Sequence, residues 1–447
     1  MKPAAGFTMD ARSLRAGEVF VAIKTDRRDG HDFLAQAAAA GASAALVSRA
    51  DPAVDLPQLV VADPLKAFQA IARAHRCAFK GQVVGITGSA GKTSTKNLLA
   101  LLLGGAEGGP EGGVLATEGN LNNHLGVPLT LTKIDPDAHR FAVIEAGISE
   151  PGEMAPLADM ILPDVSIVTL VAPAHIEALG SVEGVAAEKA RLPAATRAGG
   201  IAVFPRQCAQ FTPFRKLGVD TMIVEPADVV RPARPPEDRV YFTVTHRGAE
   251  TALAIAYGEP PPLVFTCRRV SDGMAQNAVL AVCAALWLGV EPADIRARLA
   301  GWTPAALRGE VRRDADGRLL YLDCYNANPA AMTDALDAFA GIAPAAEPRL
   351  YVLGCMGELG PQSPMLHRAL GRNLRLRAGD HVCVIGDDAE QIRLGALEGG
   401  IPAEQIDVVQ DLDAIRERLV NFNGAVFIKG SRRYKLETLV STEAAAH

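Results

Sequence analysis

Short apolar runs recur along this chain. Each is followed by a stretch in which apolar positions return every three or four residues. Near the start, "EVFVAI" and "AALVS" read as strands, and "DFLAQAAAAGA" between them reads as a helix. "DPLKAFQAIARAH" opens a further helix, with Asp63 as its cap and Pro64 in its first turn. "GITG", "RFAVIEAG" and "VSIVTLV" are short, apolar and β-branched, the pattern of buried strands. "NAVLAVCAALWLG" is a helix with a glycine stop. Beyond Trp302 the rhythm resumes. "LLYLDCYNANPAAMTDALDAF" is strand, loop and helix, and "RLYVLGCMGELG", "HVCVIG" and "GAVFIKGS" are strands that end in small residues. Proline interrupts the pattern at "VEPADVVRPARPPEDR" and "YGEPPPL", where loops and edge strands are expected.

Strand–helix alternation of this kind predicts an α/β protein with mainly parallel sheets and ligand crevices at the carboxyl ends of the strands. Three domains are expected, over residues 1–80, 81–301 and 302–447. No tandem repeat interrupts them.

Composition narrows the class. Of 447 residues, 49% are hydrophobic and 21% charged, which suits a soluble globular chain, and the 5% aromatic content predicts aliphatic cores. A net charge of −6 without a basic tract argues against nucleic acid as the main partner. Seven cysteines without a CxxC pair fit reduced thiols rather than a disulfide framework or zinc site. The first residues lack the apolar core of a signal peptide, and no uncharged apolar stretch is long enough for a membrane span. A cytoplasmic, monomeric protein is the expectation.

The sharpest chemical signal is "GITGSAGKTSTK". Gly88 and Gly91 let the backbone turn so that its N–H groups face an anion, at the positive end of a helix. Lys92 would reach phosphates and Thr93 a magnesium ion. The spacing departs from the common phosphate-loop pattern, since Ile86 stands where its first glycine would be. Glu145 ends an apolar strand, as a metal-binding carboxylate or as a solvated strand end. "EGNLNNHLGVPLT" gathers amides at Asn120, Asn122 and Asn123, to orient a substrate or close turns. His175 follows a strand and a proline, and in isolation it reads as structural. Ser181 caps a helix on whose apolar face Lys189 falls, either snorkelling or held at a metal or phosphate. In the last third, Asp323 ends a strand and Asn328 can cap the next helix, which leaves Tyr325 and Asn326 for a ligand. "IKGSRR" places Lys429 and Arg432 as a second anion pocket.

Taken in order, "GITGSAGKTSTK", "GNLNNHLGVPLTL", "VIEAG", "PAHIEALGSVEGVAAEK", "DCYNANPAAM", "LGCMGELG" and "KGSRR" resemble the Mur ligases of peptidoglycan synthesis. "DARSLRAGEVFVAIKTDRRDGHDF" is similar to the nucleotide-sugar-binding start of that family. The resemblance implies an N-terminal α/β domain for the UDP-substrate, a central P-loop ATPase domain and a C-terminal Rossmann-like domain, closing on one another to exclude water. It also implies an ATP- and Mg²⁺-dependent amide ligase acting through an acyl phosphate, with UDP-MurNAc-tripeptide and D-Ala-D-Ala as substrates. Gly88, Ser89, Ala90, Gly91, Lys92, Thr93 and Ser94 would then hold ATP. Thr93, Glu145 and His175 would serve the metal, and Lys189 matches a lysine that the family carbamylates into a metal ligand. Asn277, Arg308 and Asp323 match nucleotide-contacting positions. Asp10, Arg12, Asn122, Asn123, Tyr325, Asn326, Asn328, Lys429 and Arg432 match substrate-contacting positions.

Against the family's pattern, Leu170 and Ala172 replace an asparagine and a glycine, Gly273 and Met274 replace His-Asn, and Cys355 replaces an aspartate. These departures remove polar groups and point at base and substrate recognition. They keep open a related amide ligase with another acid or amine, and a nucleotide-binding homologue without turnover.

Overall fold

A computed structural model describes residues 5–105, 113–227, 238–258 and 260–440. It contains three sheets. The first is wholly parallel, in the order β1 (Phe7–Thr8), β2 (Val19–Val21), β3 (Ala44–Val47) and β4 (Gln58–Val60).

The second sheet has nine strands. They are β5 (Gln82–Thr87), β6 (Val114–Ala116), β7 (Phe141–Glu145), β8 (Val165–Val168), β9 (Ile201–Pro205), β10 (Asp220–Pro226), β11 (Arg239–Arg247), β12 (Glu250–Ala256) and β13 (Leu263–Arg268). Their order is β13-β12-β11-β10-β9-β8-β5-β7-β6, and only the pairings of β12 are antiparallel. The two proline-rich stretches border this antiparallel extension. Residues 228–237 and 259 within them lie outside the described residues.

The third sheet comprises β14 (Glu310–Arg313), β15 (Leu319–Leu322), β16 (Arg349–Gly354), β17 (His381–Ile385), β18 (Ile406–Val409) and β19 (Ala425–Lys429), in the order β14-β15-β19-β16-β17-β18. It is parallel apart from edge strand β14.

Helices cover both faces of the second sheet. The Asp272–Trp287 helix is buried from Ala278 through Ala285, so it is apolar on every side. Its alanines let the Lys92–Leu102 helix pack closely in the same core. No helix among the described residues is long and apolar enough to cross a membrane. The cysteines are unpaired, and all but Cys77 are buried. Burial pushes the thiols of Cys208, Cys283 and Cys324 up to about 12, which leaves them inert packing groups.

The Pro64–Ala78 helix joins the first two sheets. Asp63 accepts from the N–H groups of Leu65 and Lys66 at 2.9 and 3.0 Å, and Pro64 occupies the first turn. Phe68 packs on Val21 and Leu46 of the first sheet, whereas Ala72, one turn later, belongs to the core of the second. Arg76 is buried beyond it. Its guanidinium donates to the carbonyls of Ile161 and Leu162 and to Asp164 Oδ2 at 2.7–2.9 Å. Asp164 in turn accepts from Val83 N–H at the head of β5. Truncation would strand these acceptors. Arg76→Ala is therefore expected to cost about 3 kcal/mol, read as a lower urea midpoint with an unchanged slope in the transition of the central domain.

Candidate active site

Strand β5 lies between β7 and β8 in the interior of its sheet, so its carboxyl end opens on the crevice of a parallel fold. The chain leaves β5 at Thr87 and enters the next helix at Lys92. Gly91 precedes that helix with φ +79°, and a β-carbon there would fall 2.2 Å from the Asn277 amide nitrogen. Glycine is required on both counts. No side chain caps the helix, so its first N–H groups remain available to an anion. Lys92 folds back over the loop and donates to the Gly88 carbonyl at 2.8 Å. Burial lowers its pKa, against the opposing pull of Glu145.

Glu145, the last residue of β7, is 1% exposed. Thr93 donates its hydroxyl to Oε2 at 2.9 Å and Asn122 its amide to Oε1 at 2.8 Å. Glu145 N–H donates to the Thr117 hydroxyl at 2.9 Å, and the buried Lys96 ammonium donates to the Thr117 carbonyl. Lys96 and Thr117 thus hold the carboxylate beside the phosphate loop. Neither stands out in the sequence, because the first is one polar residue in a helix and the second follows a short strand.

Asn123 accepts from the N–H groups of Leu125 and Gly126, a turn-closing role, so the neighbouring amides divide their tasks. His175 sits in the left-handed region at φ +53°, and its Nδ1 pairs with the carboxylate of Glu358 from the third sheet's unit. That contact lowers the pKa of Glu358.

Lys189 ends the Val182–Lys189 helix, which Ser181 caps by accepting from Gly184 N–H at 3.1 Å. It is 1% exposed, and its Nζ makes no hydrogen bond with the described residues. Burial, with the nearby positive charge of Lys92, pulls its pKa well below the ordinary lysine value.

The opposite wall comes from the third sheet. Lys429, at the end of β19, donates to Asp323 Oδ2 at 2.5 Å and to the carbonyls of Asp323 and Asn326 at 3.2 and 3.3 Å. This buried lysine braces the loop that carries Tyr325 and Asn326. Arg308 stacks 3.9 Å above the Tyr325 ring. Asn328 caps the Pro329–Ile342 helix by accepting from Ala331 N–H at 2.9 Å, and its Nδ2 donates to the Ser89 carbonyl of the phosphate loop at 3.3 Å.

Between these walls lies a cavity of about 630 Å³. All the phosphate-loop positions named from sequence except Gly88 line it, as do Asn122, Asn123, Glu145, His175, Asn277, Arg308, Asp323, Tyr325, Asn326, Asn328 and Lys429. Asp10 and Arg12 do not; they pair with each other at 2.6 Å on the surface of the first unit. Lys189 lies outside the lining as well, and so does Arg432, which pairs with Glu437 and stands 5.8 Å above the Tyr325 ring. Among lining residues with no signal in the sequence are Thr169, Gln276 and Asp334.

Two departures from the family pattern are accommodated by the main chain. The Leu170 carbonyl accepts from Ser89 N–H at 2.8 Å, and the Ala172 carbonyl and N–H both bond the Ser89 hydroxyl, at 2.9 and 3.0 Å. Neither bond needs a polar side chain. Cys355 is buried against Ile385 and Gly386.

Hard oxygen donors at Thr93 and Glu145 beside an anion loop fit magnesium, which takes few protein ligands and completes its shell with phosphate and water. No cluster of three or more His, Cys, Asp or Glu among the described residues offers an all-protein metal cage.

Two opposed parallel sheets with a phosphate loop at their junction define a nucleotide-dependent ligase of the Mur type, and the chain belongs to the Mur ligase family. Residues 4–76 match the model of the Mur ligase family catalytic domain, 86–220 that of the Mur ligase middle domain, and 307–432 that of the Mur ligase glutamate ligase domain. The UDP-N-acetylmuramoyl-tripeptide–D-alanyl-D-alanine ligase of Escherichia coli (strain K12) is 33% identical over 97% of this chain and 92% of that protein. Among solved structures, MurF from Acinetobacter baumannii superposes with a TM-score of 0.83 at 28% identity, covering 97% of this chain and 92% of that one. The MurF ligase from Thermotoga maritima in complex with ADP gives 0.79 at 27% identity, covering 97% and 96%.

Replacing Gly91 tests the anion cradle. Gly91→Ala places a methyl group on Asn277 and strains a left-handed φ, so nucleotide affinity measured by calorimetry is expected to fall at least about tenfold with the far-ultraviolet spectrum unchanged.

Proposed function

We propose that the chain joins D-alanyl-D-alanine to UDP-N-acetylmuramoyl-tripeptide at the expense of ATP, within three units spanning 1–80, 81–301 and 302–447. One observation carries the reading: a phosphate loop and an oxygen-rich metal position, Thr93 with Glu145, face a polar wall supplied by a second parallel sheet. The relatives that span the chain carry the name of this activity.

A carboxylate acylates poorly because its leaving group would be oxide. In the proposed reaction a tripeptide carboxylate oxygen attacks the γ-phosphorus of ATP, the bond to the β–γ bridging oxygen breaks, and ADP leaves. The dipeptide amine then attacks the acyl carbon and loses its proton. The carbon–oxygen bond breaks and inorganic phosphate departs. Gly88 to Ser94 cradle the phosphates, and Lys92 neutralises their charge. Thr93 and Glu145 would hold magnesium, with His175 on the same cavity, and the ion when bound would supply Lewis-acid stabilisation of the transferring group. Asn277, Arg308 and Asp323 serve the nucleotide. Asn122, Asn123, Tyr325, Asn326, Asn328 and Lys429 line the path of the reacting ends. Asp10, Arg12 and Arg432 are assigned to outlying parts of the substrates. The docked domains exclude water, which would hydrolyse the acyl phosphate.

Lys189 fits the carbamylated position of the family. Burial favours its neutral amine, the form that adds to carbon dioxide, and the product places an anion near the positive charge of Lys92. A second reading, binding without turnover, is motivated by Gly273 and Met274 in place of two polar residues.

Phosphate release with substrates omitted in turn separates the readings. Release is expected only with ATP, UDP-MurNAc-tripeptide and D-Ala-D-Ala together; none with the full set favours the non-catalytic reading. Glu145→Gln should lower the rate about 100-fold or more. Stripping carbon dioxide should suppress turnover, and bicarbonate should restore it. A carbamate signal from ¹³C-bicarbonate is expected in the wild type and absent from Lys189→Met.

A further inference from the structure

Asp334 lies just over one turn into the Pro329–Ile342 helix, on the third sheet's side of the cavity. Its partners are on the other side. Oδ1 accepts from Gly273 N–H at 2.8 Å, and the Ser271 hydroxyl also bonds the carboxylate. Both partners belong to the start of the Asp272–Trp287 helix, where Ser271 is the cap and accepts from Met274 N–H at 3.1 Å. The neighbouring acid, Asp272, is turned to His246 Nε2 at 2.8 Å, which leaves the Gly273 N–H to Asp334. A carboxylate from one domain thus completes the N-terminus of a sixteen-residue helix in another, where the helix dipole favours it.

The approach is possible because residue 273 is glycine. A β-carbon there would stand 2.6 Å from Asp334 Oδ2 and 2.9 Å from Cγ. Gly273 does not have a positive φ, so its backbone conformation is open to any residue and the requirement is one of space. The resemblance puts histidine at this position, and histidine would displace Asp334.

The two helices also meet the phosphate loop. Asn328, at the head of the Asp334 helix, donates to the Ser89 carbonyl, and Asn277, one turn beyond Gly273, lies against Gly91. Loop, Asn328, Asp334, Gly273 and Asn277 form a closed ring of contacts around one end of the cavity. With the Asp334 link in place, the spacing between the Asp323–Ala331 wall and the phosphate loop is set at two points rather than one.

We propose that Asp334 is a positioning residue, which clamps the C-terminal domain onto the Asp272–Trp287 helix and holds the two cavity walls in register, with Gly273 as its matched counterpart. The role in turnover rests on the ligase reading; the clamp itself does not.

The test is a distance measurement on the full chain by double electron–electron resonance. Nitroxides are placed through Lys216→Cys and Glu417→Cys, exposed positions on the two domains, in a Cys77→Ser background; the other native cysteines are buried. We expect one narrow distance for the parent, a broadened or longer distribution for Asp334→Ala, and a narrow one for Asp334→Asn, which keeps an acceptor oxygen. Gly273→Ala ordinarily stabilises a helix; here it should broaden the distribution as Asp334→Ala does. The double variant should lose no more than either single one. In the phosphate-release assay, kcat should fall about tenfold for Asp334→Ala, the scale of one charge-assisted hydrogen bond, with the melting temperature unchanged. Identical distributions for the parent and Asp334→Ala would overturn the proposal, as would additive losses in the double variant. An inactive parent would refute the ligase reading while the distances still decided the clamp.

Discussion

The unfilled N–H groups where β5 passes into the Lys92–Leu102 helix are the constraint that orders this molecule. A helix start without a side-chain cap attracts an anion, and Lys92, folded over it, is itself tied to the Gly88 carbonyl. Directly beside this start the sheet order brings the end of β7, and with it the buried carboxylate of Glu145. Phosphate and carboxylate repel at such range unless a cation stands between them. Thr93 and Asn122 hold the carboxylate in place, so the topology of three adjacent strands sets a fixed oxygen donor beside the anion-binding turn.

The second consequence is incompleteness. The central domain offers charge neutralisation, but its cavity is open on the side where Arg308, Asp323, Tyr325 and Asn326 stand. These belong to a separate sheet with its own core, held by Lys429 and the aromatic cluster of Tyr321, Phe339, Tyr351 and Phe427. A site divided between two rigid bodies can exclude water when they dock and release products when they part. The interdomain contacts at Ser89, His175 and Gly273 all fall at the rim of the same cavity.

Several residues show why the reading of the chain stopped where it did. The phosphate loop and the Asn328 cap were legible because both are local: each depends on a few consecutive residues and on backbone geometry. The departures at Leu170 and Ala172 looked like lost polar groups, yet main-chain carbonyls and an N–H meet Ser89 there, and these are the same in every residue. Lys429 and Arg432 are near neighbours in the chain, but a strand end sends one inward to Asp323 and the following turn sends the other to Glu437. Gly273 read as a loss until its partner, sixty-one positions away, came into contact.

By itself the sequence determined the alternation of strands and helices, the aliphatic cores, the anion-binding turn and the family to which these belong, because period, capping and glycine placement act over a few residues. Only the tertiary structure decided that Lys96 and Thr117 support Glu145, that Lys429 is a brace, and that Asp334 meets Gly273. Those outcomes depend on which strands lie side by side and on how two domains face each other, and burial then lowered the pKa values of Lys92 and Lys189.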